Sequence, residues 1–149
     1  MSNSKPLLLI LHVLSEAHRD QLGAHFEVLY APDSTRCAQA LAAHGPRVQA
    51  VLTVGAIGLS AAQMQAMPQL RWVGALGAGY ENIDVAYARA HGIAVSNGAG
   101  TNDQCVADHA FGLVIAAVRG LVRLDRLTRQ GVWRNDIPLP PNVSGKRLG

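Results

Sequence analysis

Aromatic residues make up only 5% of this sequence, and it contains only two cysteines, Cys37 and Cys105. The cysteines are far apart and form no C-x-x-C motif, which argues against a disulfide framework and favours reduced thiols in a cytoplasmic protein. The most apolar stretches, residues 6–11 and 110–118, are too short to cross a hydrocarbon layer of roughly 30 Å. We therefore expect a soluble, cytoplasmic protein that does not enter a membrane.

Charged residues are also sparse, at 15% of the chain, and the net charge is +3. The basic residues gather towards the end, where Arg119, Arg123 and Arg126 have the spacing of one helix face. No aromatic or base-reading polar residues are interleaved with them. The pattern favours a solvated helix face over a nucleic-acid site.

Several catalytic and metal-binding motifs are missing. The six histidines form no H-E-x-x-H or other paired spacing, so we expect no metal site. A G-x-S-x-G elbow is absent, and the first and third apolar runs do not end in the acids of a phospho-receiver domain. These absences argue against a zinc hydrolase, an α/β-hydrolase and a phospho-receiver domain.

Five apolar runs alternate with helical stretches in the first hundred residues. The runs predict strands at residues 7–13, 27–30, 51–54, 71–76 and 93–95, and helices at 16–25, 34–44, 61–67 and 83–91. Near-continuous apolar strands that alternate with helices are typical of a parallel sheet covered on both faces. We expect an α/β fold: a flavodoxin-like, doubly wound sheet of five parallel strands in the order 2-1-3-4-5.

A last helix is predicted to follow, with Thr101 and Gln104 in the spacing of a capping box. With no proline before Gly131 it would run for about 26 residues, and its first half is apolar on nearly every side. We expect it to bridge two domains and to be covered by something besides the sheet. The predicted organisation is a substrate domain at 1–100, a bridging helix at 101–133, a proline-rich linker at 134–145 and the start of another domain at 146–149.

The stretch GALGAGYENID, residues 74–84, lies between a predicted strand and a predicted helix. Gly77 and Gly79 match half of the G-x-G-x-x-G dinucleotide motif, but Asn82 stands in the third position and no acid ends the next strand. Such a loop can still direct backbone N–H groups at an anion, for example a substrate carboxylate. The alternative is a tight turn in which glycine supplies a positive φ and nothing binds.

A second loop, at residues 96–110, also leads from a strand into a helix N-terminus, where free N–H groups favour negative charge. Thr101 is explained as a helix cap. The amide of Asn102 is expected to point into the same cleft as residues 77–79, which makes it a candidate binding residue.

Together, the segments LRWVGALGAGYENIDVAYARAHGIAVSNGAG, VADHAFGLVIAAVRG, GVW and SGKRLG resemble the D-2-hydroxyacid dehydrogenase family, including its glyoxylate and hydroxypyruvate reductases. The similarity runs in order through residues 51–149 and corresponds to the substrate-domain portion. The TNDQC segment departs from the V-L-T-x-x wording that is commoner in the family.

The resemblance implies an NAD- or NADP-dependent oxidoreductase that acts on a small 2-oxo or 2-hydroxy acid and forms a homodimer when intact. It implies that GKRLG opens the nucleotide-binding domain and that the catalytic Arg, Glu and His lie beyond Gly149, so that this chain holds no catalytic residue and is inactive alone. The backbone N–H groups of Ala78 and Gly79 would bind the substrate carboxylate. Asn102 would face both substrate and nicotinamide, and Thr101 would line the cofactor side of the cleft. His12 and residues 53–57 are expected to shape the substrate pocket.

The alternative is a stand-alone flavodoxin-like module that binds a small anion or a partner protein. Such a module would have to hide its apolar last helix by self-association.

Overall fold

The computed structural model describes residues 5–149. Its strands are β1 (Leu7–Ile10), β2 (Glu27–Tyr30), β3 (Val48–Val54), β4 (Trp72–Leu76) and β5 (Ala94–Asn97). Its α-helices are α1 (Glu16–Gly23), α2 (Ser34–His44), α3 (Ala61–Gln65), α4 (Val85–Ala90), α5 (Asp103–Arg119) and α6 (Leu121–Arg129), with short 3₁₀ helices at Gly45–Arg47 and Arg134–Asp136. The chain divides into two compact units, Met1–Thr101 and Asn102–Gly149.

The first unit is built on a parallel sheet with the strand order β2-β1-β3-β4-β5, which confirms the predicted α/β fold and order. The register pairs Thr53 of β3 with Ala75 of β4, and Ala75 in turn with Asn97 of β5. Because the strands are parallel, the loops that follow β3, β4 and β5 leave the same edge of the sheet. That edge carries the candidate site.

The sheet is apolar on both faces because helices cover both of them. Leu7 and Leu9 of β1 belong to the larger core cluster, whereas Leu8 and Ile10 point into a second cluster on the opposite face. All four are at most 5% exposed, which explains why β1 appears in the sequence as an unbroken apolar run.

The predicted continuous last helix is wrong. α5 ends at Arg119 and α6 begins at Leu121, and the two helices are bent by 58°. Gly120 between them has a φ of 62°, a left-handed conformation that glycine adopts without a Cβ penalty and that ends helices. Among the described residues no single helix is long and apolar enough to span a membrane, although α5 and α6 as a bent pair pass that test by length and composition.

The break between α5 and α6 also contradicts the prediction that Arg119, Arg123 and Arg126 lie on one helix face. Arg119 lies in α5 and donates from Nη1 to Asn142 Oδ1 at 2.8 Å, whereas Arg123 and Arg126 lie in α6. The three side chains therefore do not extend along one continuous helix.

Apolar residues of α5 are exposed in the described chain, among them Val106, Phe111 and Leu113. The predicted cover for this helix therefore stays a prediction. The predicted linker contains a 3₁₀ turn at Arg134–Asp136. Residues 146–149 have no regular secondary structure and follow a turn at residues 144–145, in which the Lys146 N–H donates to the Val143 carbonyl at 3.2 Å.

Candidate functional site

The glycine-rich segment forms an exposed loop between β4 and α4. Leu76 ends β4, and the next four residues, Gly77 to Tyr80, are all exposed. Gly77 has a φ of 85°, and Ala78, like every described non-glycine residue, does not have a positive φ. Consecutive residues with φ angles of opposite sign can turn neighbouring N–H groups to one side, as in the backbone loops that bind anions.

Two hydrogen bonds join this loop to the end of β5. Asn97 donates from Nδ2 to the Ala78 carbonyl at 2.7 Å, and the Gly98 N–H donates to the Gly77 carbonyl, also at 2.7 Å. The pairing of Ala75 with Asn97 in the sheet brings these groups together. Asn97 is not among the predicted site residues. The sequence signal for its role is an amide side chain at the carboxyl end of the strand next to the loop.

The loop also packs against the residues that follow β3. Gly55 is buried, and a Cβ placed on it would lie 2.5 Å from the Gly79 carbonyl carbon and 2.6 Å from its oxygen. The same Cβ would contact Oε2 of Glu81, whose carboxylate folds back over Gly79. The site therefore combines candidate anion-binding N–H groups with an acidic side chain beside them.

The predicted capping box of Thr101 and Gln104 is wrong, because α5 begins one residue later than that box requires. Thr101 donates from Oγ1 to the Gly98 carbonyl at 2.7 Å, so its hydroxyl holds the preceding loop. Asn102 is the residue at the N-cap of α5, with no capping hydrogen bond from its side chain. The expectations that Thr101 lines the cofactor side of the cleft and that Asn102 faces substrate and nicotinamide stay predictions.

Among the residues expected to shape the pocket, Thr53 is fully buried and donates from Oγ1 to the Gly58 carbonyl at 2.9 Å. It therefore supports the loop after β3 from inside and offers no surface to a ligand. Ala56 and Ile57 are exposed beyond β3, and His12 is half-buried beyond β1. These three positions remain candidates for contact with a substrate.

The glycine loop does not fit a dinucleotide. Asn82 stands where the motif needs its third glycine, and its Nδ2 donates to the Ala56 carbonyl at 3.1 Å. The N-terminus of α4 is capped by the carboxylate of Asp84, which accepts from the Tyr87 N–H at 2.9 Å. A pyrophosphate would need that helix end for itself, and a carboxylate there repels it.

Neither cysteine belongs to a metal centre or disulfide in the described part of the chain, which contains no cluster of three or more His, Cys, Asp or Glu residues suited to a metal. Cys37 is buried on α2, and its Sγ accepts from Gln63 Nε2 at 3.7 Å. Burial raises the pKa of the Cys37 thiol and outweighs this hydrogen bond, which lowers the pKa.

We expect iodoacetamide at about pH 8 to alkylate Cys105 at least about tenfold faster than Cys37, because only the accessible thiolate reacts. Alkylation of Cys37 should increase only at a higher pH than that of an ordinary thiol, since its raised pKa keeps it protonated for longer. Mass spectrometry of peptides from the wild type and Cys105→Ser gives both rates. Equal rates at the two positions would contradict the buried placement of Cys37.

Taken together, the sheet and its loops define a flavodoxin-like α/β domain with an exposed glycine-rich loop at the carboxyl edge of β4. The sequence profile described as "D-isomer specific 2-hydroxyacid dehydrogenase, catalytic domain" matches residues 8–134. The chain belongs to this family.

Named relatives agree with this assignment. The chain is 31% identical over 146 residues to D-3-phosphoglycerate dehydrogenase of Mycobacterium leprae, with 97% of this chain and 27% of the relative covered. It is 30% identical over 131 residues to glyoxylate reductase of Korarchaeum cryptofilum, with 87% of this chain and 40% of the relative covered. The chain thus spans less than half the length of either relative.

Solved structures agree with the fold. A 2-hydroxyacid dehydrogenase from Ketogulonicigenium vulgare superposes with a TM-score of 0.80 at 33% identity, covering 95% of this chain and 45% of that protein. An NADPH-dependent glyoxylate/hydroxypyruvate reductase from Sinorhizobium meliloti, solved with NADP and malonate, superposes with a TM-score of 0.77 at 29% identity, covering 95% and 44%.

Proposed function

We propose that this chain is the substrate-binding part of an NAD- or NADP-dependent oxidoreductase that interconverts small 2-oxo and 2-hydroxy acids such as glyoxylate or hydroxypyruvate. The backbone N–H groups of Ala78 and Gly79 bind the substrate carboxylate. The observation that carries this proposal is the exposed loop Gly77–Ala78–Gly79, at the carboxyl edge of the sheet, in a chain that belongs to the 2-hydroxyacid dehydrogenases.

The negative charge beside the loop supports a substrate site to which two domains contribute. Two neutral N–H groups lie beside the Glu81 carboxylate, whose charge disfavours a second anion at close range. A substrate carboxylate therefore needs a compensating cation. We propose that it comes from a nucleotide-binding domain, as the family resemblance implies for its catalytic arginine.

The cofactor is assigned to that same domain because the glycine loop of this chain does not fit a dinucleotide. When bound, a nicotinamide cofactor supplies or accepts the hydride. The part played by this chain is to hold the carboxylate, so that the reacting carbon of the acid is oriented before reaction. We further propose that residues 146–149 begin the nucleotide-binding domain and that the whole protein is a homodimer.

Two proteins test the proposal: residues 1–149 alone, and the product of the complete reading frame that contains them. We expect the complete protein to oxidise NADH or NADPH in the presence of glyoxylate or hydroxypyruvate. Residues 1–149 alone should show no turnover above the rate without protein, because positioning of the cofactor accounts for much of such catalysis.

Each result has a distinct meaning. Turnover by residues 1–149 alone would contradict the assignment of cofactor and cation to another domain. A complete protein that reduces neither 2-oxo acid would contradict the proposed function. A reading frame that ends at Gly149 would instead favour the stand-alone anion- or protein-binding module.

A further inference from the structure

We infer that Asn97 and Gly98 are positioning residues for substrate binding: together they hold the glycine loop so that the N–H groups of Ala78 and Gly79 face the substrate carboxylate. This inference rests on the proposed function of the loop. It assigns a role to two residues at the end of β5 that act through the backbone of the glycine loop.

The direction of the Ala78 and Gly79 N–H groups follows from the geometry of the peptide unit. A planar trans peptide points its carbonyl and its N–H in opposite directions. All described peptide bonds are trans. The carbonyl of Gly77 is therefore opposed to the N–H of Ala78, and the carbonyl of Ala78 is opposed to the N–H of Gly79.

The carbonyls of Gly77 and Ala78 are both held by donors at the end of β5. Asn97 Nδ2 binds the Ala78 carbonyl and the Gly98 N–H binds the Gly77 carbonyl, each at 2.7 Å. The two donors come from consecutive residues, so both carbonyls are turned towards the end of β5. The N–H groups of Ala78 and Gly79 are consequently turned away from β5. These are the two N–H groups proposed to bind the substrate carboxylate.

The end of β5 lies so close to the loop that there is little room for a side chain at Gly98. A Cβ placed on Gly98 would lie 3.1 Å from the Gly77 nitrogen and 3.2 Å from its oxygen. Thr101 holds the Gly98 carbonyl through its hydroxyl at 2.7 Å, which supports Gly98 in turn. A loop held in this way pays less ordering entropy when it binds an anion than a mobile loop does.

The test compares Asn97→Ala with Ser96→Ala in the complete protein. Ser96 is the matched control because it is the neighbouring exposed residue of β5 and loses a comparable hydrogen bond, from Trp72 Nε1 at 3.0 Å, that does not reach the loop. We expect the KM for glyoxylate to rise about fivefold in Asn97→Ala, as fits the loss of one hydrogen bond. The kcat should change less than about twofold, because the carboxylate is bound equally before and during reaction.

Two more measurements separate positioning from general stability. Asn97→Gln keeps the amide donor and should recover part of the lost affinity, whereas Asn97→Asp should not, because a carboxylate cannot donate to the Ala78 carbonyl. In ¹⁵N-labelled residues 1–149, the amides of Ala78 and Gly79 should become more mobile in Asn97→Ala and remain unchanged in Ser96→Ala.

The inference is overturned if Asn97→Ala leaves the KM unchanged in an active protein, or if Ser96→Ala raises it equally. Unchanged mobility of the Ala78 and Gly79 amides in Asn97→Ala would also overturn it. A complete wild-type protein that reduces no 2-oxo acid would overturn the proposed function and this inference together. The three outcomes above, in an active protein, would overturn this inference alone.

Discussion

Gly58→Ala is expected to lower the free energy of unfolding by about 3–4 kcal/mol, because two separate costs add at this position. Gly58 has a φ of 72°, which costs an alanine roughly 1–2 kcal/mol. A Cβ there would also collide with the backbone carbonyl and the Cβ of Asn82. The carbonyl of Gly58 accepts from buried Thr53, so the loop cannot move aside without losing that hydrogen bond.

Gly92→Ala is the matched control for this prediction. Gly92 has a similar φ of 70°, but nothing lies within 4 Å of the place where its Cβ would be. It should therefore show the conformational cost alone, about 1–2 kcal/mol. Urea unfolding of both variants measures the difference. Equal losses of stability would refute the steric part of the explanation.

Gly55→Ala is expected to reduce kcat/KM for glyoxylate in the complete protein by about a hundredfold, a typical cost of a small misplacement at a reacting site. The added Cβ would lie 2.5 Å from the Gly79 carbonyl carbon, so the peptide that carries a proposed carboxylate donor must shift. Because the atoms of Gly79 in this contact belong to the backbone, no side-chain rotation can relieve it.

Gly45→Ala provides the control for a clash of the same kind outside the site. Its Cβ would lie 2.5 Å from the Ala66 carbonyl oxygen, so it should also destabilise the fold, yet kcat/KM should stay near the wild-type value. Thermal unfolding and steady-state kinetics on both variants separate the two effects. A fully active Gly55→Ala, or an equal activity loss in Gly45→Ala, would show that the position of Gly79 does not govern substrate binding.

Local sequence chemistry predicted some elements closely. The helix predicted at residues 34–44 is α2, Ser34–His44, because both of its ends are marked in the sequence. Asp33 caps the start by accepting the Arg36 N–H at 2.8 Å, and the chain passes into the 3₁₀ helix Gly45–Arg47, where Pro46 lacks the N–H that a continuing α-helix would need. The central strands β1, β3 and β4 were predictable because strands that are largely buried between two layers of helices are apolar along most of their length.

Predictions failed where one residue could adopt two different local arrangements. Thr101 has the spacing of a capping residue for α5, but its hydroxyl donates to the Gly98 carbonyl instead. Gly120 could have continued the last helix at a modest cost, yet it adopts a positive φ and ends α5. In both cases the sequence is compatible with two local arrangements, so local pattern cannot choose between them.

Apolar periodicity and motifs contiguous in the chain were sufficient to predict the α/β class, the number of strands, the family and the position of the glycine loop. The groups that hold that loop could not be predicted in this way, because they depend on the assembled fold. Asn97 reaches the Ala78 carbonyl because β4 and β5 pair with Ala75 opposite Asn97, and Gly55 touches Gly79 because the loops after β3 and β4 leave the same edge. Strand register depends on packing of the whole sheet, so contacts between loops distant in sequence are set only when the sheet is assembled.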